Sequence, residues 1–359
     1  AALNGFTFRG DSVAKTNSYA AFGQTTFHIT PEWSLTTGLR YTKEKKRGDF
    51  TQRQVGGVDL ATVPAAVATA AQALRNTYGP ASSYVANTDE SNLSGQANLA
   101  WKPSADLLVY ATYARGYKSG GLNLANLPAG AKSTVNPEKV VSYETGLKSQ
   151  FLDRRLTANA TAFLTYVSDY QSINSVPGLS LVYLANAAKV RSRGAEVELQ
   201  ANPLEGLSLN AGATYAETVY ADYANAPCAV GRTAPCSLSG VRLPNAPLWS
   251  TSFSGEYARP VAAFGGGAQA YVSADVSWRS DYNSASDNSP FGNVKGYEIT
   301  NLRVGLRHGD GTWDAYVWAR NLFNEDYLQR IQLAGFNSGL LVASVGDPRT
   351  IGVTLRARR

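Results

Sequence analysis

LTANATAFLTY, residues 156–166, is the stretch that decides the fold class. Every second side chain in it is apolar, and the side chains between are mostly Thr or Asn. The apolar positions are Leu156, Ala158, Ala160, Ala162, Leu164 and Tyr166. Because successive side chains of a β-strand point to opposite faces, this period of two predicts a strand with one apolar and one polar face.

The same alternation occurs along the whole chain. Residues 207–215 and 270–279 repeat it over full strand lengths, and residues 195–200, 302–307 and 351–356 repeat it in shorter form. Seven further strands are predicted at residues 19–29, 33–45, 92–101, 107–117, 140–151, 248–259 and 313–323. The pattern therefore predicts an all-β chain of about thirteen strands, which we expect to form one antiparallel domain over residues 1–359.

The predicted connections alternate in length. Short turns are predicted at residues 30–32, 102–105, 152–154, 203–205 and 308–311, and the joins between them are much longer. This inequality is typical of transmembrane barrels of the outer membrane, which have short periplasmic turns and long extracellular loops. A soluble β-sandwich is the alternative, but its strands are shorter and its connections show no such regular difference.

The composition is consistent with a membrane barrel. No run of about 18 apolar residues occurs, so any membrane span must be made by strands of a closed barrel. Lys and Arg exceed Asp and Glu by 33 to 27 but are spread along the chain, which disfavours a nucleic-acid partner. The first residues lack the features of a signal peptide, so we expect the chain to have been matured or cut before Ala1.

An odd number of strands places the two ends of the sheet on opposite sides of a membrane, whereas single-chain barrels usually have an even number. We therefore expect a C-terminal fragment that lacks an odd number of earlier strands, with residues 1–17 beginning in an extracellular loop. Within the loop predicted at residues 48–90, the Ala-rich stretch from Pro64 predicts a short extracellular helix, either a decoration of the loop or a substrate lid.

Cys228 and Cys236 lie eight positions apart in a Gly-, Pro- and Ala-rich segment that is predicted to be a loop. An oxidising compartment favours a disulfide between them, and two free thiols in a cytosolic loop are the alternative. No Walker loop, HExxH, GxSxG or metal-binding constellation occurs in the sequence. We therefore predict no catalytic residue, no cofactor and no metal site, and interpret His28 and His308 as interfacial side chains.

Aromatic residues gather near the predicted strand ends, at the depth that amphipathic rings prefer in a bilayer. The ones predicted near short turns are Trp33, Trp101, Trp249 and Trp313. Others at or near strand ends are Tyr117, Tyr215, Tyr257 and Tyr282. Soluble β proteins also place aromatic residues beside turns, so this feature supports the barrel without deciding it.

Several segments resemble the TonB-dependent outer-membrane receptors, especially those of the siderophore type. They are GLRYTKEKK from Gly38, YATYARGYKSGGLN from Tyr110, NPEKVVSYETGLKSQFLDRRLTANATAF from Asn136, KVRSRGAEVEL from Lys189 and ARNLFNEDY from Ala319. The resemblance implies a 22-stranded barrel occluded by an N-terminal plug and driven by TonB. This chain would hold the last thirteen strands, without the plug or the TonB-contacting box.

The chain departs from that family at its end. Such barrels usually finish on an aromatic residue that the barrel-assembly machinery reads, whereas this sequence ends LRARR at residues 355–359. The resemblance therefore implies either a trimmed terminus or an atypical assembly signal.

The predicted function is TonB-energised uptake of a scarce, bulky solute, most readily a ferric siderophore. A passive porin, a receptor for cobalamin, haem or a saccharide, and a surface-adhesion or phage-docking role for the long loops are the alternatives. The expected partners are outer-membrane lipid, the solute, the receptor's own plug and through it TonB, and the barrel-assembly machinery.

Candidate side chains follow from this hypothesis. Ferric siderophores are often anionic and partly planar, so cationic and aromatic groups near the loops are predicted contacts. They are Arg115, Tyr117, Lys118, Tyr170, Arg232, Tyr282 and Tyr327. The side chains predicted to face the lumen and plug are Glu196, Glu198, Asp275, Arg303, Arg307 and Arg356. Those predicted to face lipid are Ala160, Leu209, Val272 and Val304.

Overall fold

A computed structural model describes residues 2–175, 182–229, 231–262, 267–333 and 340–358. Thirteen long strands form one antiparallel sheet in which each strand pairs with its neighbours in chain order. The strands are β1 (Phe6–His28), β2 (Trp33–Gly56), β3 (Ser82–Ser104), β4 (Leu107–Lys118), β5 (Glu138–Phe151), β6 (Leu156–Ser175), β7 (Val182–Ala201), β8 (Leu207–Asp222), β9 (Trp249–Val261), β10 (Ala268–Arg279), β11 (Tyr297–His308), β12 (Trp313–Arg320) and β13 (Thr350–Ala357). The predicted number of strands and the all-β class are confirmed.

The two ends of the sheet differ in their connections. At one end, which we call the turn end, strands are joined by two to six residues, as between His28 and Trp33 or between Phe151 and Leu156. At the other, the loop end, most connections are long and contain elements of their own. These are 3₁₀ turns at Leu60–Thr62 and Pro290–Gly292, helix α1 at Ala65–Tyr78, and strand pairs Gly121–Leu122 with Thr134–Val135, Tyr282–Asn283 with Asn293–Val294, and Leu328–Leu333 with Leu341–Val345.

Several strands extend further toward the loop end than predicted. β1 begins at Phe6, so the expectation that residues 1–17 form a loop is wrong, and the loop predicted at residues 48–90 is reduced to residues 57–81. Above the hydrocarbon both faces of a strand meet water, so apolar alternation ends while backbone pairing continues. In place of apolar contacts these parts of the strands carry cross-strand ion pairs, for example between Arg53 Nη2 and Asp11 Oδ2 at 3.2 Å.

The helix predicted from Pro64 is observed as α1, which has 14 residues. Arg75 in its last turn is buried and donates hydrogen bonds to the carbonyl oxygens of Ala2 (3.1 Å) and Val58 (2.7 Å), which fixes the helix against the loop end of β1 and β2. Within the described part of the chain, no helix has both the length and the apolar character needed to cross a membrane.

Register separates the residues of the sheet onto two faces. Tyr257, Val272, Val304, Val317 and Val353 lie opposite one another on five successive strands and belong to what we call the apolar face. The neighbouring row of Glu256, Ser273, Arg303 and Trp318 belongs to the other, polar face. Ala160 and Leu209 share the apolar face, because Ala160 lies opposite Val197 and Leu209 opposite Gly255.

Aromatic pairs mark both ends of the apolar face. Trp33 and Trp101 stack at the turn end with ring centroids 5.7 Å apart. The prediction that Trp249 also lies near a short turn is wrong, since β9 runs from the loop end toward the turn end and Trp249 is its first residue. There it packs on Tyr215, with centroids 5.0 Å apart. The apolar face therefore has aromatic residues at both borders, as a bilayer-crossing wall requires.

The sheet does not close on itself. β1 and β13 are its two edges, and among the described residues nothing pairs with their outer sides. Both strands run toward the turn end, so their edges cannot pair in the antiparallel sense. An open edge is not tolerated in hydrocarbon, because its N–H and C=O groups have no partner there. Closure by antiparallel pairing needs an odd number of additional strands.

Candidate functional site

The candidate site is the loop end of the polar face, where four connections fold back over the sheet and form three covers. The first is residues 119–137, between β4 and β5. The ammonium of Lys46, on β2, donates to Ser119 Oγ and to the carbonyl oxygen of Gly120, both at 2.6 Å. The carboxylate of Glu90, on β3, accepts from the backbone N–H of Gly120 at 3.1 Å. Glu44 Oε1 lies 3.0 Å from the same ammonium and balances its charge.

Polar groups of β5 and β6 hold the other end of this connection. The Glu138 carboxylate, which is buried, accepts from the backbone N–H of Gln171 at 2.8 Å and lies 3.1 Å from Lys118 Nζ. The Gln171 side-chain amide donates to the carbonyl oxygens of Ser119 (2.9 Å) and Asn136 (3.0 Å). The connection is therefore fixed at both ends on the polar face, and Lys118 stands beside its anchor.

Residues 223–229 and 231–248 of the second connection cover the polar face of β6–β8 with a small hydrophobic core. Tyr220 and Tyr223 are each 3% exposed, and their ring centroids are 5.1 Å apart. Tyr170 meets the edge of Tyr220 at 6.3 Å, and Leu238 packs into the same cluster. Burial raises the pKa of the Tyr223 hydroxyl, so that ring stays neutral. Tyr170, a predicted solute contact, is thus a packing residue of this cover.

The sulfurs of Cys228 and Cys236 are bonded in this connection. The bridge closes a short loop whose outer part carries Arg232, an exposed side chain. Arg232 therefore projects from the covering loop into solvent at the loop end.

We expect Cys228 and Cys236 to be linked in the folded, non-reduced protein, as mass spectrometry of its peptides would show. Closing so small a loop stabilises the fold by roughly 2–3 kcal/mol in the chain-entropy model. The double variant Cys228→Ser, Cys236→Ser should lose about that much. Ready alkylation of both thiols in folded protein would contradict the bond.

Residues 280–296, 321–333 and 340–349, which belong to two connections, form the third cover. Tyr282 is 4% exposed, and its hydroxyl donates to the carbonyl oxygen of Gln329 at 2.7 Å. Tyr327 packs on Tyr297 with centroids 4.4 Å apart, and the Arg279 guanidinium lies 5.1 Å from the centre of the Tyr297 ring. Of the predicted contacts, Tyr282 and Tyr327 are brought together here. Tyr282 holds two connections to each other, and Tyr327 belongs to an aromatic group with a cation beside it.

The other predicted contacts on β4 are split between the two faces. Lys118 lies opposite Glu138 on the polar face. Arg115 and Tyr117 point the other way, in the row of Val141 and Lys139 on the apolar face. The expectation that all three line one mouth is therefore not met, because two odd-numbered positions and one even-numbered position of a regular strand cannot share a face.

Below the covers, the polar face of β9–β13 carries a connected set of charged and aromatic groups. Arg307 Nη2 lies 2.7 Å from Glu256 Oε1, and its guanidinium lies 4.9 Å from the centre of the Tyr271 ring. The Tyr271 hydroxyl donates to Asp314 Oδ1 at 3.0 Å. Arg356 lies 5.6 Å from the centre of the Tyr316 ring. The sequence prediction included Arg307 and Arg356 but missed Glu256 and Asp314. The same alternation of apolar and polar side chains places both of these on the polar face.

Arg303 and Asp275 lie on this face as well. Asp275 accepts from the Asn301 side-chain amide at 2.6 Å. On β7, Glu196 and Glu198 lie opposite Thr161 and Asn159, also on the polar face. Glu144 was missed; it accepts from the Tyr110 hydroxyl at 2.8 Å. The polar face thus has an acidic sector on β5–β7 and a sector rich in arginine on β11–β13.

In the portion that the structure describes, no three His, Cys, Asp or Glu side chains converge as metal ligands would. The arrangement offers a polar wall, aromatic covers and cations that lie beside carboxylates or aromatic rings.

A family model for the TonB dependent receptor-like β-barrel matches residues 2–322. The chain belongs to this family. Its barrels lie in the outer membrane, in agreement with a sheet that has one apolar and one polar face. The family resemblance predicted from the sequence segments is confirmed.

Two curated relatives are named as receptors for siderophores or their ferric complexes. A probable TonB-dependent siderophore receptor, PiuA of Acinetobacter baumannii, is 25% identical over 254 residues, which are 68% of this chain and 30% of that protein. The ferric-pyoverdine M114 receptor PbuA of a Pseudomonas strain is 28% identical over 63% of this chain and 25% of its own length. The chain thus matches only about a third or less of these relatives.

Solved structures show the same fold. The ferric yersiniabactin uptake receptor FyuA from Yersinia pestis superimposes with a TM-score of 0.76 at 18% identity, covering 98% of this chain and 47% of that one. The siderophore receptor PiuA from Acinetobacter baumannii gives a TM-score of 0.70 at 20% identity, covering 96% and 43%. This chain therefore corresponds to somewhat less than half of each receptor.

Proposed function

We propose that this chain is part of the barrel wall of a receptor that takes up a ferric siderophore across the outer membrane, driven by TonB. The observation that supports this most is the set of connections that fold over the polar face and are anchored there by buried groups such as Glu138 and Tyr282. A polar wall covered by structured loops suits a protein that must capture a scarce solute before admitting it.

The proposal requires parts beyond this sheet. Nine further strands would complete a 22-stranded wall, and that odd number agrees with the parallel directions of β1 and β13. A plug domain docked on the polar face would close the passage and connect it to TonB. The remaining partners are outer-membrane lipid and the barrel-assembly machinery that inserts the wall.

A ferric siderophore is preferred as cargo because the relatives named above are receptors for ferric pyoverdine and ferric yersiniabactin. Cobalamin, haem or a saccharide is the alternative within the family. A passive porin is disfavoured by the match of residues 2–322 to the TonB dependent receptor-like β-barrel.

Uptake of radiolabelled iron decides between these functions. Cells that carry the intact receptor are given ferric pyoverdine or ferric yersiniabactin, with and without TonB, and compared with cells that lack the receptor. Uptake of at least one complex should require both the receptor and TonB. Uptake that persists without TonB would support the porin. Labelled haem and labelled cobalamin are given to the same cells in parallel, and uptake of one of these without uptake of either ferric siderophore would overturn the cargo.

Among the predicted contacts we retain Lys118, Arg232 and Tyr327, which lie on the polar face or on the loops above it. For an anionic ferric siderophore, the double variant Lys118→Gln, Arg232→Gln should weaken binding roughly three- to tenfold, because two cations at the mouth are lost. The double variant Arg115→Gln, Lys139→Gln is the matched control, since it also removes two cations, but from the opposite face of the sheet. Equal weakening by the control, measured by fluorescence titration of the intact receptor, would contradict this placement.

A further inference from the structure

A strip of basic side chains crosses the apolar face at the loop end of β4–β7. Arg115 lies opposite Val141, Val141 opposite Tyr166, and Tyr166 opposite Arg191. These four residues therefore form one row across four neighbouring strands, about 14 Å from end to end. Lys139 on β5 and Arg193 on β7 lie one step away on the same face, and together the four cations define the basic strip.

The strip lies at the upper border of the apolar band. Directly below it, Tyr113 and Tyr143 pack with ring centroids 5.4 Å apart, and below them the rows hold Leu147, Ala160 and Val197. From Ala158 to Tyr166 the chain rises about 27 Å along β6, or about 20 Å across a bilayer at the usual strand tilt. This height places the basic strip where hydrocarbon gives way to headgroups in the outer leaflet.

The strip carries more positive charge than its protein neighbours neutralise. Arg191 and Arg193 share one carboxylate, Glu217, at 3.5 Å and 2.6 Å. Arg191 Nε is buried and has no hydrogen-bond acceptor among the described residues. Arg115 and Lys139 are both exposed, and neither forms an ion pair with any residue that the structure describes. Four cations thus face outward beside a single anion.

We propose that the basic strip binds the phosphate groups of a phosphorylated glycolipid in the outer leaflet, beside the wall of the barrel. Arginine suits this ligand, because its planar guanidinium donates two parallel hydrogen bonds to phosphate oxygens. The apolar rows below contact the acyl chains, and Tyr166 in the middle of the strip occupies the boundary depth. The inference rests on the proposed orientation in the membrane, and it does not depend on which solute is carried.

The test uses the intact receptor in detergent with bis-phosphorylated lipid A as the probe and dephosphorylated lipid A as its comparison. Native mass spectrometry of the complex should show at least tenfold preference for the phosphorylated form. The triple variant Arg115→Gln, Lys139→Gln, Arg191→Gln should lose that preference. The matched control Lys102→Gln, Lys148→Gln, Arg154→Gln removes three cations outside the strip and should keep it.

Two further measurements keep the outcomes distinct. Inorganic phosphate at millimolar concentration should not displace the lipid; displacement would show a site for free phosphate and overturn the proposal. Raising the salt concentration should weaken binding of phosphorylated lipid A by wild-type receptor, which tests the charge without any variant. An unchanged preference of the triple variant for phosphorylated over dephosphorylated lipid A would also overturn the proposal. Solute uptake is measured separately, so loss of lipid binding with normal uptake leaves the proposed function standing.

Discussion

Replacement of Val272 by Arg should prevent assembly of most of the receptor. Val272 lies in the middle of the apolar face, opposite Tyr257 and Val304, and is 41% exposed. In a barrel this surface meets lipid, where an Arg near the midplane costs about 2–4 kcal/mol. Because proteins are only marginally stable, a loss of this size should leave a smaller fraction of the receptor molecules folded. Heat-modifiable gel mobility of outer-membrane fractions measures the folded share directly.

Ser273→Arg is the control for this prediction. Ser273 is the next residue on β10 but belongs to the polar face, with Glu256 opposite it on one side and Arg303 on the other. The added guanidinium there remains in water beside a carboxylate, so the folded share should stay near that of the wild type. Similar loss of assembly in both variants would contradict the assignment of the two faces to lipid and lumen.

The strand number and the faces could be predicted because a membrane imposes them on every strand. A strand with lipid on one side and water on the other must alternate apolar and polar side chains. The period of two in residues 156–166 and 270–279 reflects that constraint. The constraint ends where the hydrocarbon ends. In the upper parts of β1 and β2 both faces carry polar residues, since Arg9, Asp11 and Arg53 lie on one face and Gln52 and Gln54 on the other. The sequence pattern therefore stops well before the strands do.

The covers could not be predicted, because their contacts join residues far apart in the chain. The hydroxyl of Tyr282 meets the backbone of Gln329, 47 positions away, and no local pattern records such a pairing. A bulge adds to the difficulty. Near Asp169, where φ is +57°, the register of β6 shifts, so Tyr170 pairs with Ala188 and the simple alternation of the lower strand no longer applies.

The second large effect is expected at Arg307. Its ion pair with Glu256 is about a third exposed on both sides, so Arg307→Gln should change the free energy of unfolding by less than about 1 kcal/mol. Uptake should nevertheless fall tenfold or more. The variant removes the charge that links Glu256, Tyr271 and Asp314 on the polar face, and a plug docked on that face would lose a fixed cation at its contact surface.

The same two measurements, gel mobility and uptake of labelled iron, separate this effect from that of Val272→Arg. One change should leave the barrel folded and transport impaired, whereas the other should reduce both. A charge swap then tells what Arg307 does. If Arg307→Glu with Glu256→Arg restores uptake, the ion pair within the wall is what transport needs; if uptake stays low, Arg307 itself contacts the plug. Normal uptake in Arg307→Gln would show that this part of the polar face only lines a water-filled passage, because loss of a cation that contacts a docked surface weakens the docking.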